Sequence, residues 1–389
     1  HRGNKMPKIS SQKPPPFELY NGTPQHENFS RMIELFPHNT MTASPAPVEF
    51  DRGRELDLPV DYEFEGHRKS VENFINETDT SALLILQDGK VRFENYFLTG
   101  GQDVQWISWS MAKSFISALV GIAIEEGFIN SVNDPISHYV HSLTGSAYDG
   151  VRIKEVLQMS SGARWSEDYS DPDADVHKLA AVMAGATTLE SFVSSMQGET
   201  EPGTVCQYNS ADTQALGLLL NYATGRSVTD YMKEKLVDPL GMEATGHWLL
   251  DGAGMELALG GLNLTARDFA KIGELYRNKG QWNGQQIVSK DWVNMSVKPS
   301  VDHLQAGRVI VGGHIFPFGY GYQWWVPEGD IGEFAAIGVY NQFIFVDPSR
   351  DAVIVKLSAN RAYGTSPDEG INRERETVEF LRTLAKNLD

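Results

Sequence analysis

From residue 110 to residue 127 the chain is apolar on nearly every side of a helical projection, with Phe115, Leu119, Ile122 and Ala123 along one flank. A helix of that kind belongs inside a core, so the rest of the chain must supply layers that cover it. Its longest apolar run, 116–124, is about half of the roughly 20 residues that a bilayer crossing takes, so it predicts a buried helix and no membrane span. The same segment carries Lys113, and an amine in such surroundings is costly.

Core packing has to hold the fold together. The sole cysteine, Cys206, excludes an intrachain disulfide and a cysteine-based metal cage. A length of 389 residues with 41% hydrophobic side chains suffices for two sub-domains, each with its own core. Lysine and arginine total 33 against 51 acids, a net charge of −18. The resulting field repels phosphate and disfavours nucleic acid or an anionic bilayer as partner, while small neutral or cationic substrates fit. The polar, proline-bearing start is compatible with a processed or trimmed N-terminus. Compartment (periplasmic or secreted, against cytoplasmic) and oligomeric state (monomer or homodimer) stay open.

Residues 1–60 hold Pro14, Pro15, Pro16, Pro45 and Pro47 and little periodicity, which predicts an extended arm without chemistry of its own. Helical spacing of Val71, Phe74 and Ile75 predicts a helix over 67–77. Two strand-like runs follow, 82–87 and 91–97, with Asp88-Gly89 between them as a tight hairpin turn. After the apolar helix, residues 145–240 show short helical segments and acidic or glycine-bearing loops. The tail reads as strands at 320–326, 333–337, 342–346 and 352–357 and an amphipathic helix over 371–388. The plan is a sheet domain (61–145 and 241–389) with a helical lobe (146–240) inserted in it.

Ser110-Met111-Ala112-Lys113 sets a hydroxyl and an amine three residues apart at a helix start, on one face and within reach of each other. A desolvated lysine loses its proton readily and can take one from a serine hydroxyl. The helix N-terminus also offers a backbone N–H and a positive dipole end to a developing oxyanion. The spacing is common in itself, since Ser10-Ser11-Gln12-Lys13 repeats it in the proline-rich arm, so context decides. Ser110 follows Trp106 and Trp109 and opens the most apolar helix; Gln207-Tyr208-Asn209-Ser210 precedes another apolar helix, 215–222. A tyrosine there can relay a proton to a leaving group, or simply be a core tyrosine with its hydroxyl satisfied.

These residues resemble the β-lactamase-related superfamily, with its Ser-x-x-Lys, a second polar motif here of the Tyr-x-Asn/Ser type, and a third on a strand. The resemblance is to the branch of class C β-lactamases, family VIII carboxylesterases and 6-aminohexanoate-dimer hydrolases, and covers about residues 65 to 385. Tyr148-Asp149-Gly150, 156–162, Glu167-Asp168-Tyr169, Gln323-Trp324-Trp325 and Val346-Asp347-Pro348 extend it. It implies an α+β sandwich of the β-lactamase/transpeptidase type: a mainly antiparallel sheet flanked by helices, a helical lobe, and the site between them. It places Ser110, Lys113 and Tyr208 on catalytic positions, Ser210 at the polar position of the second motif, and Ala336-Ile337-Gly338 where the third motif belongs. Val339 then supplies an oxyanion-hole N–H beside that of Ser110.

The third motif departs from the pattern, with Ala336 standing where penicillin-recognising members carry a basic residue. That weakens the expected grip on a substrate carboxylate and turns the reading toward short-chain esters or linear amides. A β-lactamase or D-Ala-D-Ala peptidase, and an acylated sensor that never turns over, remain alternatives. Tyr169 matches a tyrosine on a loop that closes over the amide in the nylon-oligomer hydrolases; Glu167, Asp168 and Asp171 around it are either an attractor for an amino terminus or a solvated acidic loop. His138 and His141 read as surface residues, so neither metal nor cofactor is expected. No Gly-x-Ser-x-Gly elbow or phosphate-cradling glycine loop occurs. Cys206 reads as a small buried filler, and Trp324-Trp325 as core or cleft wall.

Overall fold

Residues 82–86 are all buried, and their two-residue period sends them alternately to opposite sides of one sheet. The computed structural model describes residues 21–389. Its main sheet consists of β1 (Asp51–Arg52), β2 (Thr80–Gln87), β3 (Lys90–Tyr96), β4 (Gly319–Tyr320), β5 (Trp325–Val326), β6 (Phe334–Gly338), β7 (Gln342–Asp347) and β8 (Ala352–Ser358). The spatial order is β4-β5-β6-β7-β8-β2-β3-β1, so the two ends of the chain meet at the β8–β2 seam. Every neighbouring pair is antiparallel except β1 with β3. Asp88 and Gly89 both take positive φ, as the β2–β3 hairpin requires.

Four longer helices position the layers: α1 (Ala112–Glu125), α2 (Ser210–Thr224), α3 (Ala266–Arg277) and α4 (Glu374–Lys386). Leu84, Leu86, Ile344, Val346, Val353 and Val355 share one core with α1 and α3. Leu83, Ile85, Phe343, Phe345 and Ile354 share the other with Phe380, Leu381 and Leu384 of α4. The result is an α+β sandwich with α1 buried between the sheet and α2, as its all-round apolarity demands. A smaller sheet of His38–Met41, Gly246–Leu249, Leu262–Leu264 and Trp106–Ile107 feeds its last strand straight into Ser110.

Several elements depart from expectation. The helix predicted over 67–77 begins only at Val71, because Ser70 caps it through Asn73 N at 3.1 Å while His67–Ser70 pairs with Asp61–Phe64. The strand predicted over 320–326 is two short strands folded back at residues 321–324, where Gln323 is left-handed. The predicted closing helix is broken: Arg373 takes φ 59 between a short turn, Glu369–Asn372, and α4. Of the predicted arm, Ser10, Lys13 and Pro14–Pro16 lie outside the described residues; its described part supplies one strand to each sheet.

Candidate active site

Ser110 lies in a short 3-10 turn, Trp109–Met111, immediately ahead of α1. The preceding residue is strained: Trp109 has φ 43, a region that a bulky side chain enters only when its surroundings impose it. Phe29 packs edge-on against its ring at 5.4 Å, and the Ser108 hydroxyl donates to the Trp109 carbonyl at 2.8 Å. The strained turn aims the half-buried Ser110 into a cleft while the rest of α1 stays in the core.

One turn further on, Lys113 is 2% exposed. Its Nζ lies 2.9 Å from Ser110 Oγ, 3.2 Å from Ser210 Oγ and 2.7 Å from the Leu259 carbonyl. Burial lowers its pKa to about 7, with the charge of Glu167 pulling the other way. The amine is therefore substantially neutral at neutral pH and able to accept the Ser110 proton.

The Tyr208 ring sits 5.1 Å from Lys113 Nζ, bridging to the cleft wall at Trp325, 5.3 Å away. Its backbone is fixed by N–H donation to Ile310 O at 2.8 Å, and Ile310 N returns a bond to Cys206 O. Burial and Glu167 push the phenol well above its ordinary range, against a hydrogen-bonding influence from Ser110 that lowers it. Tyr208 therefore stands as a neutral hydroxyl beside the serine, fit to pass a proton on but not to act as a resting phenolate. Asn209 caps α2 through Ala211 N, which turns Ser210 back toward Lys113.

Gly338 ends β6 against the Ser110 turn. A Cβ there would stand 2.6 Å from Ser108 O and 3.0 Å from Ser110 N, so only glycine lets the strand come this close. Neither Ser110 N nor Val339 N finds an acceptor among the described backbone bonds. Both residues line the cleft, with Ile337 and Gly338. Ala336 does not: its side chain lies on the face away from that of Ile337 and is buried in the core with α1. Placing it among substrate-binding residues needs correcting. Ser210 likewise bonds Lys113 and is absent from the cleft lining.

Tyr169 lines the cleft and donates its hydroxyl to Glu167. Glu167, however, is no solvated acid. It is buried, and Oε1 accepts from Trp165 Nε1 and Ser210 N, both at 2.7 Å. It ties the Tyr169 loop to the start of α2. Asn21, from the arm read as having no chemistry, donates to Tyr169 O at 3.3 Å. Cys206 is buried, and burial raises its thiol pKa. His138 and His141 are exposed, and among the described residues no group of three metal-ligating side chains converges.

Sequence reasoning missed the other cleft wall. A hairpin of Val309–Val311 and His314–Phe316 supplies Val311 and Phe316, and the C-terminal segment supplies Tyr363 and Glu374. Gly312-Gly313, both left-handed, is a readable hairpin signal.

Fold and site together define a hydrolase of the serine β-lactamase-like superfamily. The β-lactamase family model matches residues 71–379, and the chain belongs to that family. It is 31% identical over 345 residues to the 6-aminohexanoate-dimer hydrolase of Paenarthrobacter ureafaciens, covering 85% of this chain and 84% of that one. A Bacillus anthracis structure provisionally described as a 6-aminohexanoate-dimer hydrolase superposes with TM-score 0.82 at 22% identity, covering 97% of this chain and 99% of the other. A family VIII carboxylesterase superposes with TM-score 0.62 at 14% identity, over 82% and 95% respectively. These last two likenesses concern the fold. Among the described residues no helix is long and apolar enough to cross a membrane.

Proposed function

We propose that the protein hydrolyses short-chain esters or linear amides through an acyl-enzyme on Ser110. The observation that carries this reading is the Lys113 amine, buried, lowered to about 7 and 2.9 Å from Ser110 Oγ. Lys113 takes the serine proton as Oγ attacks the carbonyl, and the N–H groups of Ser110 and Val339 receive the oxyanion. Tyr208 delivers its proton to the departing alcohol or amine and is reprotonated from the Lys113 ammonium, which restores the neutral amine for the attack of water. Water then attacks the acyl group and restores Ser110.

Support for the substrate class comes from the likeness to a 6-aminohexanoate-dimer hydrolase and from the cleft lining, which among the described residues offers no lysine or arginine to hold a carboxylate. β-Lactams and D-Ala-D-Ala ends rank below esters and linear amides for the same reason. The Ser110→Ala variant should lose at least about a thousandfold in kcat while keeping its fold. Turnover of p-nitrophenyl acetate, 6-aminohexanoate dimer and nitrocefin should be compared in parallel. Undiminished hydrolysis by the variant would refute the nucleophile, and dominant nitrocefin turnover the ranking. Stoichiometric fluorophosphonate labelling without steady-state hydrolysis would instead favour an acylated sensor.

A further inference from the structure

Each of the two N–H groups assigned to the oxyanion has a strained residue beside it. Trp109, at φ 43, comes directly before Ser110; Tyr340, at φ 64, comes directly after Val339, in the 339–341 turn that joins β6 to β7. Asn341 is left-handed too, which asparagine tolerates and a ring-bearing residue resists. Backbone of this kind persists only where its surroundings over-determine it. Both rings are buried with centroids 5.8 Å apart, and one side chain packs on both: Phe29, buried, at 5.4 Å from Trp109 and 5.0 Å from Tyr340. Asn21 adds a polar tie. Its Oδ1 accepts the Tyr340 hydroxyl at 3.2 Å, while Nδ2 donates to Tyr169 O at 3.3 Å and Gly364 O at 3.2 Å.

Neither Phe29 nor Asn21 lines the cleft. They belong to the N-terminal segment, which is fixed to the body by Gly22 N donating to Arg361 O at 2.7 Å and by the Thr99 hydroxyl donating to His26 O at 2.8 Å. We infer that Phe29 and Asn21 are positioning residues for the oxyanion receptor, clamping Trp109 and Tyr340 so that the Ser110 and Val339 N–H groups stay aimed at one point. This rests on the acyl-enzyme reading for what the receptor holds. The peptide that carries the Ser110 N–H is hinged at Trp109, and the turn that carries Val339 is closed by Tyr340, so relaxing either residue re-aims a donor. Such a donor stabilises a transition state only if it is in place before charge develops, and a displacement of about 1 Å costs on the order of a hundredfold in rate.

The test compares wild type, Phe29→Leu and Asn21→Ala with Phe380→Leu, an equal loss in the core on the other side of the sheet. One readout needs no substrate: amide hydrogen exchange of the stretches 106–112 and 337–342. The other is turnover of p-nitrophenyl acetate against its thiono analogue, in which sulfur, a poor hydrogen-bond acceptor, replaces the carbonyl oxygen. Phe29→Leu should speed exchange in both stretches, Asn21→Ala in the second. Phe29→Leu should cut the preference for oxygen over sulfur about tenfold through kcat with KM unchanged, and Asn21→Ala about threefold. Phe380→Leu should alter neither readout. Unchanged exchange in both stretches, or an unaltered preference in variants that still turn over, would overturn the clamp while leaving the acyl-enzyme intact. Faster exchange in a protein that hydrolyses neither ester, or whose hydrolysis survives Ser110→Ala, would leave the clamp and remove the acyl-enzyme. Unchanged exchange without turnover would remove both.

Discussion

Three lysines are sealed inside the described residues; Lys271 is paired with Asp268 and Glu243, while Lys113 and Lys356 sit among hydroxyls in nearly matching surroundings. Lys113 donates to two serine hydroxyls and a carbonyl with a tyrosine ring 5.1 Å away. Lys356, on β8, donates to Thr78 Oγ1 at 2.9 Å and Ser358 Oγ at 2.7 Å with the Phe74 ring at 5.2 Å. Burial lowers the pKa of both, but the leading neighbouring charge differs in sign. Glu167 pulls Lys113 back up, to about 7, whereas Arg373 drives Lys356 further down and outweighs an upward pull from Asp79. Desolvation and hydroxyl partners are therefore not the mark of a base. What separates the two amines is that one of Lys113's hydroxyls, Ser110, opens onto a cleft, and that a nearby carboxylate holds the amine close to neutrality, where it can both take and return a proton.

The largest effect should come from removing the amine that matters. Lys113→Ala should cost roughly a hundred- to ten-thousandfold in kcat/KM, the usual worth of a general base. In the wild type, kcat/KM should rise with pH and level off above about 7, because the deprotonated amine is the competent form. A profile flat through this region, with activity undiminished at low pH, would remove Lys113 from the base role. Next in size is Gly338→Ala, whose Cβ would press on Ser108 O and Ser110 N. Misplacing one oxyanion donor should cost about a hundredfold in kcat with little change in KM. An unimpaired Gly338→Ala enzyme would show that β6 does not hold the oxyanion.

How much of this was legible follows from how local each signal is. Ser110 and Lys113 stand three residues apart on one helix face, so their contact is a matter of helical geometry. The β2–β3 hairpin is announced by Asp88-Gly89, and the buried strands by short apolar runs. Tyr208 was raised by its place ahead of an apolar helix and set on a catalytic position by the family resemblance, because nothing local says that residue 208 returns to residue 110. Glu374 and Tyr363 were not legible: amphipathic periodicity carries on across 371–388, and only the left-handed Arg373 breaks it and points Glu374 into the cleft. Lys356 falls inside the strand predicted over 352–357 with no signal of its own; its company, Thr78 and Phe74, comes from a segment far away in sequence. Ala336 lies on β6 but outside the cleft lining, and counting along the chain does not say which face of a strand looks into a cleft.

The smallest effect on catalysis, and the sharpest separation of the two lysines, should come from Lys356→Met. Activity should stay within about threefold, because no hydroxyl that Lys356 touches lines the cleft. Stability should instead respond to pH. Burial holds the Lys356 pKa well below the ordinary lysine value, so the folded protein gives up this proton at a lower pH than the unfolded chain does. The unfolded state thus holds more protons, and stability must rise with pH until the unfolded lysine itself deprotonates. One such group contributes a slope of about 1.4 kcal/mol per pH unit. Denaturant titrations at about pH 8 and about pH 10 should show that slope reduced in Lys356→Met by roughly this amount. An unchanged slope would mean that Lys356 keeps its proton on folding, and that the two buried amines differ in protonation as well as in access.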